Sequence, residues 1–152
     1  MTPSTSTQNL LTLVGRALLA LLFIPAGFSK LTGFAGVTGY IASKGVPLPE
    51  VAAAIAIAVE LGLGLMLLFG WKARWAALGM AVFVLVITPI FHNFWASAPA
   101  QVGAQQLNFY KNLAIAGGLL IIAAFGAGGW SLDARKGEAG ATGGARNSAL
   151  RT

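Results

Sequence analysis

The sequence predicts an all-α membrane protein, a four-helix transmembrane bundle with a short interfacial helix in its first outer loop. Three observations predict it. First, 57% of the 152 residues are hydrophobic and 9% are charged, where a soluble domain carries about 25% charged residues. Second, the charges fall in short segments between long apolar runs, as in polytopic membrane proteins. Third, residues 51–70 are apolar from end to end except for Glu60 at the midpoint. A run of about 20 such residues matches the ~30 Å hydrocarbon core of a bilayer. A carboxylate at mid-depth costs roughly 2.5–3.5 kcal/mol on insertion scales, so Glu60 is expected to face protein or water and to have a partner.

Residues 1–9 are Ser/Thr-rich and uncharged, which reads as a disordered N-terminus. Residues 10–133 hold the four-helix domain, and residues 134–152 read as a disordered basic tail. The first span is expected at 10–28. A cleaved signal peptide fits this stretch poorly, because no basic segment precedes it, Arg16 lies inside it and no A-x-A site follows. Pro25 is expected to kink its far end. Residues 34–44 suit an interfacial helix, stopped by Gly45 and Pro47. The second span is 51–70. A tight turn carrying Lys72 and Arg74 leads to an uncharged third span at 75–91. A longer loop, 92–108, follows with Phe94 and Trp95, and a fourth span runs over 109–128.

Four spans put both termini on one side. That side holds Lys72, Arg74, Arg135, Lys136, Arg146 and Arg151, against Lys30, Lys44 and Lys111 on the other. Six against three predicts a multi-pass protein with both termini and the short turn cytoplasmic. The net charge of +6 therefore reports orientation. No basic helix face supports nucleic-acid binding. With no cysteine and one histidine, His92, thiol chemistry, iron–sulfur ligation and bis-histidine haem ligation within one chain are excluded, and no metal site is expected.

Helical spacing collects the polar residues on small-residue faces. Stepping from Arg16 at 3.6 residues per turn, Ala20, Phe23, Gly27 and Lys30 fall within about 40°. Around Glu60 lie Ala53, Ala56 and Gly64. Around His92 lie Ala81, Leu85 and Thr88, and around Lys111 lie Asn108, Ile115 and Gly118. Small residues let helices approach closely in membranes. The candidate buried polar site is Arg16, Lys30, Glu60, His92, Asn93, Lys111 and Asn112. Arg16 and Glu60 are expected to pair across the bundle, as a register-fixing ion pair or as part of a functional polar site. Lys30 and Lys111 also suit snorkelling to the headgroups, and His92 suits a solvated position at the interface.

Four ordered segments resemble the DoxX family of small bacterial inner-membrane proteins. They are FIPAGFSKL at 23–31 with Arg16 upstream, VELGLGLMLLFG at 59–70 after the GVPLP of 45–49, HNFW at 92–95, and FYKNL at 109–113 followed by WSLD at 130–133. The resemblance implies a four-helix membrane protein. Members of the wider group are linked to thiosulfate:quinone oxidoreduction and to membrane oxidoreductase assemblies that handle oxidative and thiol stress. The first reading is thus a membrane subunit of an oxidoreductase system with a quinone or a small sulfur species in the bundle and no covalently bound cofactor. The alternative is a non-catalytic scaffold that recruits a soluble redox or stress enzyme, and a small transporter ranks third. Membrane lipids, a soluble oxidoreductase and further copies of the chain are the partners in view. The sequence names no catalytic residue.

Overall fold

The computed structural model describes residues 6–136; of the stretches expected to be disordered, 1–9 and 134–152, residues 6–9 and 134–136 are helical, and 1–5 and 137–152 lie outside the described residues. Among the described residues four helices are long and apolar enough to cross a membrane: Ser6–Thr32, Pro49–Phe69, Ala73–Ala96 and Pro99–Phe125. Within them, and between the first two, the elements are α1 (Ser6–Thr32), α2 (Phe34–Ser43), α3 (Pro49–Ile57), a π-helical turn (Ala58–Leu63), α4 (Gly64–Phe69), α5 (Ala73–Phe91) and α6 (Val102–Phe125). The second span is α3, the π turn and α4 in continuous succession.

The first and fourth spans differ from expectation at both ends: α1 runs on to Thr32, past residue 28, and α6 stops at Phe125, short of residue 128. α1 begins at Ser6, ahead of residue 10. Its first turn is tied down, because the Gly129 N–H donates to Asn9 Oδ1 at 2.7 Å and Thr12 Oγ1 donates to the Gln8 carbonyl at 2.7 Å. The fourth span begins at Val102, ahead of residue 109. Its polar first turns are held by packing: Phe94 and Trp95 of the preceding 3₁₀ turn meet Phe109 edge-on at 5.5 and 5.8 Å between ring centres. The second and third spans and the interfacial helix begin and end within two residues of the expected positions. α2 follows α1 directly and ends before Gly45, whose φ of +72° turns the chain back toward Pro49.

The second span closes on Gly70. Its N–H donates to the Leu67 carbonyl, and the Trp71 N–H donates to that of Met66. This double closure needs a left-handed residue, and Gly70 supplies φ +67°. The next helix, α5, is capped from the far end of the chain. The Asp133 carboxylate accepts the Lys72 N–H at 2.7 Å and the Ala73 N–H at 2.9 Å, which satisfies orphan donors and places negative charge at the helix's positive end.

The core lies where α5 and α6 pack together, with Phe23 and Leu67 completing it. Ala77, Met80, Ala81, Val84, Ala116, Leu119 and Ile122 are its other members. The predicted faces of the first two spans are the buried ones: Arg16, Ala20, Phe23 and Gly27 on α1, and Ala53, Ala56, Glu60 and Gly64 on the second span. On α5, Ala81 and Thr88 are buried, whereas Leu85 faces outward. On α6 the expected face is wrong by about one residue. Ala116, Leu119 and Ile122 are buried, and Lys111 is exposed.

Candidate functional site

The expected Arg16–Glu60 pair does not form. Glu60 pairs instead with Lys30, whose ammonium donates to Oε1 at 2.9 Å and Oε2 at 2.8 Å. The Glu60 side chain is 6% exposed and that of Lys30 is 30% exposed. Lys30 lies about 21 Å further along α1 than Arg16 at 1.5 Å per residue, so the two cations serve different levels of the bundle. The register of α1 against the second span explains the choice. A Cβ on Gly27 would stand 2.9 Å from Leu61 Cγ and 3.0 Å from Glu60 Cβ. Only a glycine permits that approach, and it brings the last turn of α1 over the π turn. π-helical turns interrupt the regular ladder and recur at functional positions; here the turn carries Glu60.

Arg16 is engaged within the first half of α1. Nη1 donates to the carbonyls of Leu67 and Leu68 at 3.1 and 3.0 Å, and Nη2 donates to that of Trp130 at 2.7 Å. Arg16 is 1% exposed, and its Nε has no hydrogen-bond partner among the described residues. The guanidinium thus binds carbonyls at the end of the second span, that of Leu67 shared with the Gly70 N–H, and ties the segment after α6 to them. Asp133 N–H donates to the Gly70 carbonyl at 3.0 Å, completing the closure of this end.

A cavity of about 420 Å³ opens beside the Lys30–Glu60 pair. Its walls come from α2, α3 and α5, with Ile41, Ile55, Phe83 and Ile87 among them, and its polar groups are Lys30, Glu60 and His92. Tyr40 of α2 also lines it and stacks on Phe91 at the end of α5, 5.6 Å between ring centres. Ligand pockets of this volume are typically apolar with a few polar groups that fix orientation. His92 Nδ1 lies 2.9 Å from Gln105 Oε1, which orients the ring.

The remaining candidates sit elsewhere. Asn112 Nδ2 donates to Thr88 Oγ1 at 3.1 Å, and that hydroxyl donates to the Val84 carbonyl at 2.6 Å. This chain links α5 to α6 inside the bundle. Lys111 donates to Asn108 Oδ1 at 2.9 Å on the exposed face, where its charge needs no buried partner. Asn93 is half-buried, and its carbonyl accepts the Ala96 N–H and the Ser97 hydroxyl, a loop-shaping role. The structure therefore brings Lys30, Glu60 and His92 to one cavity and separates Arg16, Asn112 and Lys111 from it. Sequence reasoning missed α2 as a cavity wall, Gln105 behind His92, and Trp130 with Asp133 at the Arg16 end. The 83, 87, 90 spacing of Phe83, Ile87 and Ile90 along α5 was the available sign of a wall. Among the described residues no group of three or more His, Cys, Asp or Glu could hold a metal ion.

Comparison with known proteins adds the family. Residues 11–93 match the family model described as DoxX, a stretch that includes Arg16, Lys30, Glu60 and His92. The chain is 37% identical over 128 residues to inner membrane protein YphA of Escherichia coli (strain K12), covering 84% of this chain and 91% of that protein. It is 42% identical over 124 residues to inner membrane protein YqjF of the same organism, covering 80% and 88%. The Surfeit locus protein 4 homolog of Drosophila melanogaster is 28% identical over 85% of this chain and 42% of its own length. No solved structure matches the chain.

Proposed function

The chain belongs to the DoxX family of inner membrane proteins, and on that footing we propose that it is a membrane subunit of an oxidoreductase system that holds a quinone in the cavity beside Lys30 and Glu60. One observation carries this reading: an apolar cavity of about 420 Å³ within the bundle has an ion pair in its wall. A quinone needs an apolar slot and hydrogen-bond donors at its oxygens. Phe83, Ile55 and Ile87 suit the ring and the start of its tail. The Lys30 ammonium has three donors and a side chain open enough to share one with a ligand oxygen. Glu60, held by Lys30, is the group suited to hold or release a proton at that oxygen. His92 supplies a second polar point. A bound quinone would supply two-electron, two-proton chemistry, and the chain's own part is to bind it, orient it and exclude water. A small sulfur species is the competing occupant, and the apolar walls favour the quinone over it.

The same reading assigns electron delivery to a soluble oxidoreductase partner and puts both termini in the cytoplasm. The six-to-three distribution of basic residues supports that orientation. A cytoplasm-active reporter fused after Thr152 tests it, and activity of a periplasm-only reporter at that position would reverse it.

Titration of the purified protein with a short-chain ubiquinone, followed by tryptophan quenching, tests the binding. Saturable quenching is expected. Ile87→Phe together with Ala56→Leu, which narrow the cavity without adding a fluorophore, should weaken it at unchanged thermal stability, and equal quenching in that variant and the wild type would count against the cavity.

A further inference from the structure

At the termini end of the bundle, far from the cavity just described, we infer a binding site for the headgroup of an anionic phospholipid. A second pocket, about 360 Å³, lies between the end of the second span and the segment after α6. Phe69, Trp130, Leu132 and Arg135 line it. Phe69 and Trp130 are 58% and 50% exposed, so the pocket is amphipathic, with aromatic walls and a guanidinium. Phe69 is the last helical residue of its span. The pocket therefore opens at the level where the spans end, where aromatic rings meet headgroups.

Charge complementarity selects the occupant. Lys72, Arg74, Arg135 and Lys136 stand at this end, and the ammoniums of Lys72 and Lys136 each lie 5.7 Å from the centre of the Trp71 ring. Among the described residues the carboxylate at this end, Asp133, is committed to the N–H groups of Lys72 and Ala73. A surplus of positive charge remains beside an apolar pocket. A planar guanidinium takes a phosphate through two parallel hydrogen bonds, which an ammonium does not. Arg135 also projects from a fixed turn. Ser131 Oγ donates to the Gly128 carbonyl at 2.7 Å and accepts the Ala134 N–H at 3.2 Å, and the Asp133 N–H reaches the Gly70 carbonyl. The pocket is thus positioned by the same bonds that close this end of the bundle.

The test uses the full chain in phosphatidylcholine nanodiscs with and without phosphatidylglycerol, read as melting temperature and as lipid retained in native mass spectrometry. Phosphatidylglycerol should raise the melting temperature of the wild type and remain bound. Arg135→Gln should bind it about fivefold more weakly, the share of one basic residue near a membrane surface, while Arg135→Lys keeps part of the effect. Lys44→Gln removes the same charge at the other end of the bundle and should behave as wild type. Inorganic phosphate should give no rise, because it has no acyl chains to cover Phe69 and Trp130. An equal rise in Arg135→Gln and wild type, or an equal loss in Lys44→Gln, would overturn the site. Indifference to lipid class would overturn it too, and would point to an acidic soluble partner at this surface.

Discussion

Two levels of α1, Arg16 within its first half and Lys30 in its last turn, each hold a cation at a helix–helix contact, and the two cations do different things. Arg16 is sealed: 1% exposed, bonded to three backbone carbonyls from two segments and remote from the cavity. Lys30 is 30% exposed, bonded to one carboxylate and part of a cavity wall. Backbone carbonyls at a helix end are fixed acceptors, so a guanidinium among them acts as a permanent staple. A carboxylate on a side chain can change partner or protonation state, so an ammonium beside it keeps chemistry available. Burial of charge alone does not separate structural from functional polar residues in this bundle; the kind of acceptor and the adjoining space do.

The largest expected effect breaks the sealed end. Arg16→Met removes the guanidinium from the carbonyls of Leu67, Leu68 and Trp130, of which Leu67 keeps the Gly70 N–H, and should cost about 3 kcal/mol or more, at roughly 1.5 kcal/mol or above per bond to a charged group. Denaturant unfolding in detergent measures it, and a loss under about 1 kcal/mol would mean that water replaces the guanidinium. Next comes Gly27→Leu. Its side chain must displace Leu61 and Glu60, so it should cost roughly 1–3 kcal/mol as overpacking does and weaken quinone binding by separating Lys30 from Glu60. Unchanged binding in that variant would detach the site from the α1 register. Lys30→Met should lose roughly 1–3 kcal/mol, from the scale of one interhelical polar bond up to the cost of leaving the Glu60 carboxylate without its partner, and lose quinone binding. Lys111→Gln should change stability by less than about 0.5 kcal/mol, as exposed substitutions do.

What the sequence made legible, and what it did not, follows from the physics of helices. Periodicity reports which face of a helix is buried, and on α1 and the second span it named Arg16, Ala20, Phe23, Gly27, Glu60 and Gly64 as they stand. It does not report how far one helix slides along another. The expected pairing set Arg16 opposite Glu60, whereas the Gly27 approach sets Lys30 there. On α6 two polar residues stand side by side, Lys111 and Asn112. Adjacent helical positions are about 100° apart, so only the Thr88 hydroxyl decides that Asn112 faces inward. The Arg16 staple was illegible for another reason. Its acceptors are backbone carbonyls, which carry no residue signature, and one of them, that of Trp130, is remote in sequence. The π turn at Glu60 has no sequence marker in the neighbouring Gly and Leu residues.

The separation of the two polar centres is tested most directly by a pair of double-mutant cycles read in unfolding free energy. One combines Lys30→Met with Glu60→Gln, and the other combines Arg16→Met with Glu60→Gln. Residues in contact couple and distant ones add. The first cycle should show a coupling of about 0.5–1.5 kcal/mol, because the second change removes the charge that the first leaves unpaired. The second should be additive within about 0.5 kcal/mol. Coupling between Arg16 and Glu60, with additive losses for Lys30 and Glu60, would contradict the account.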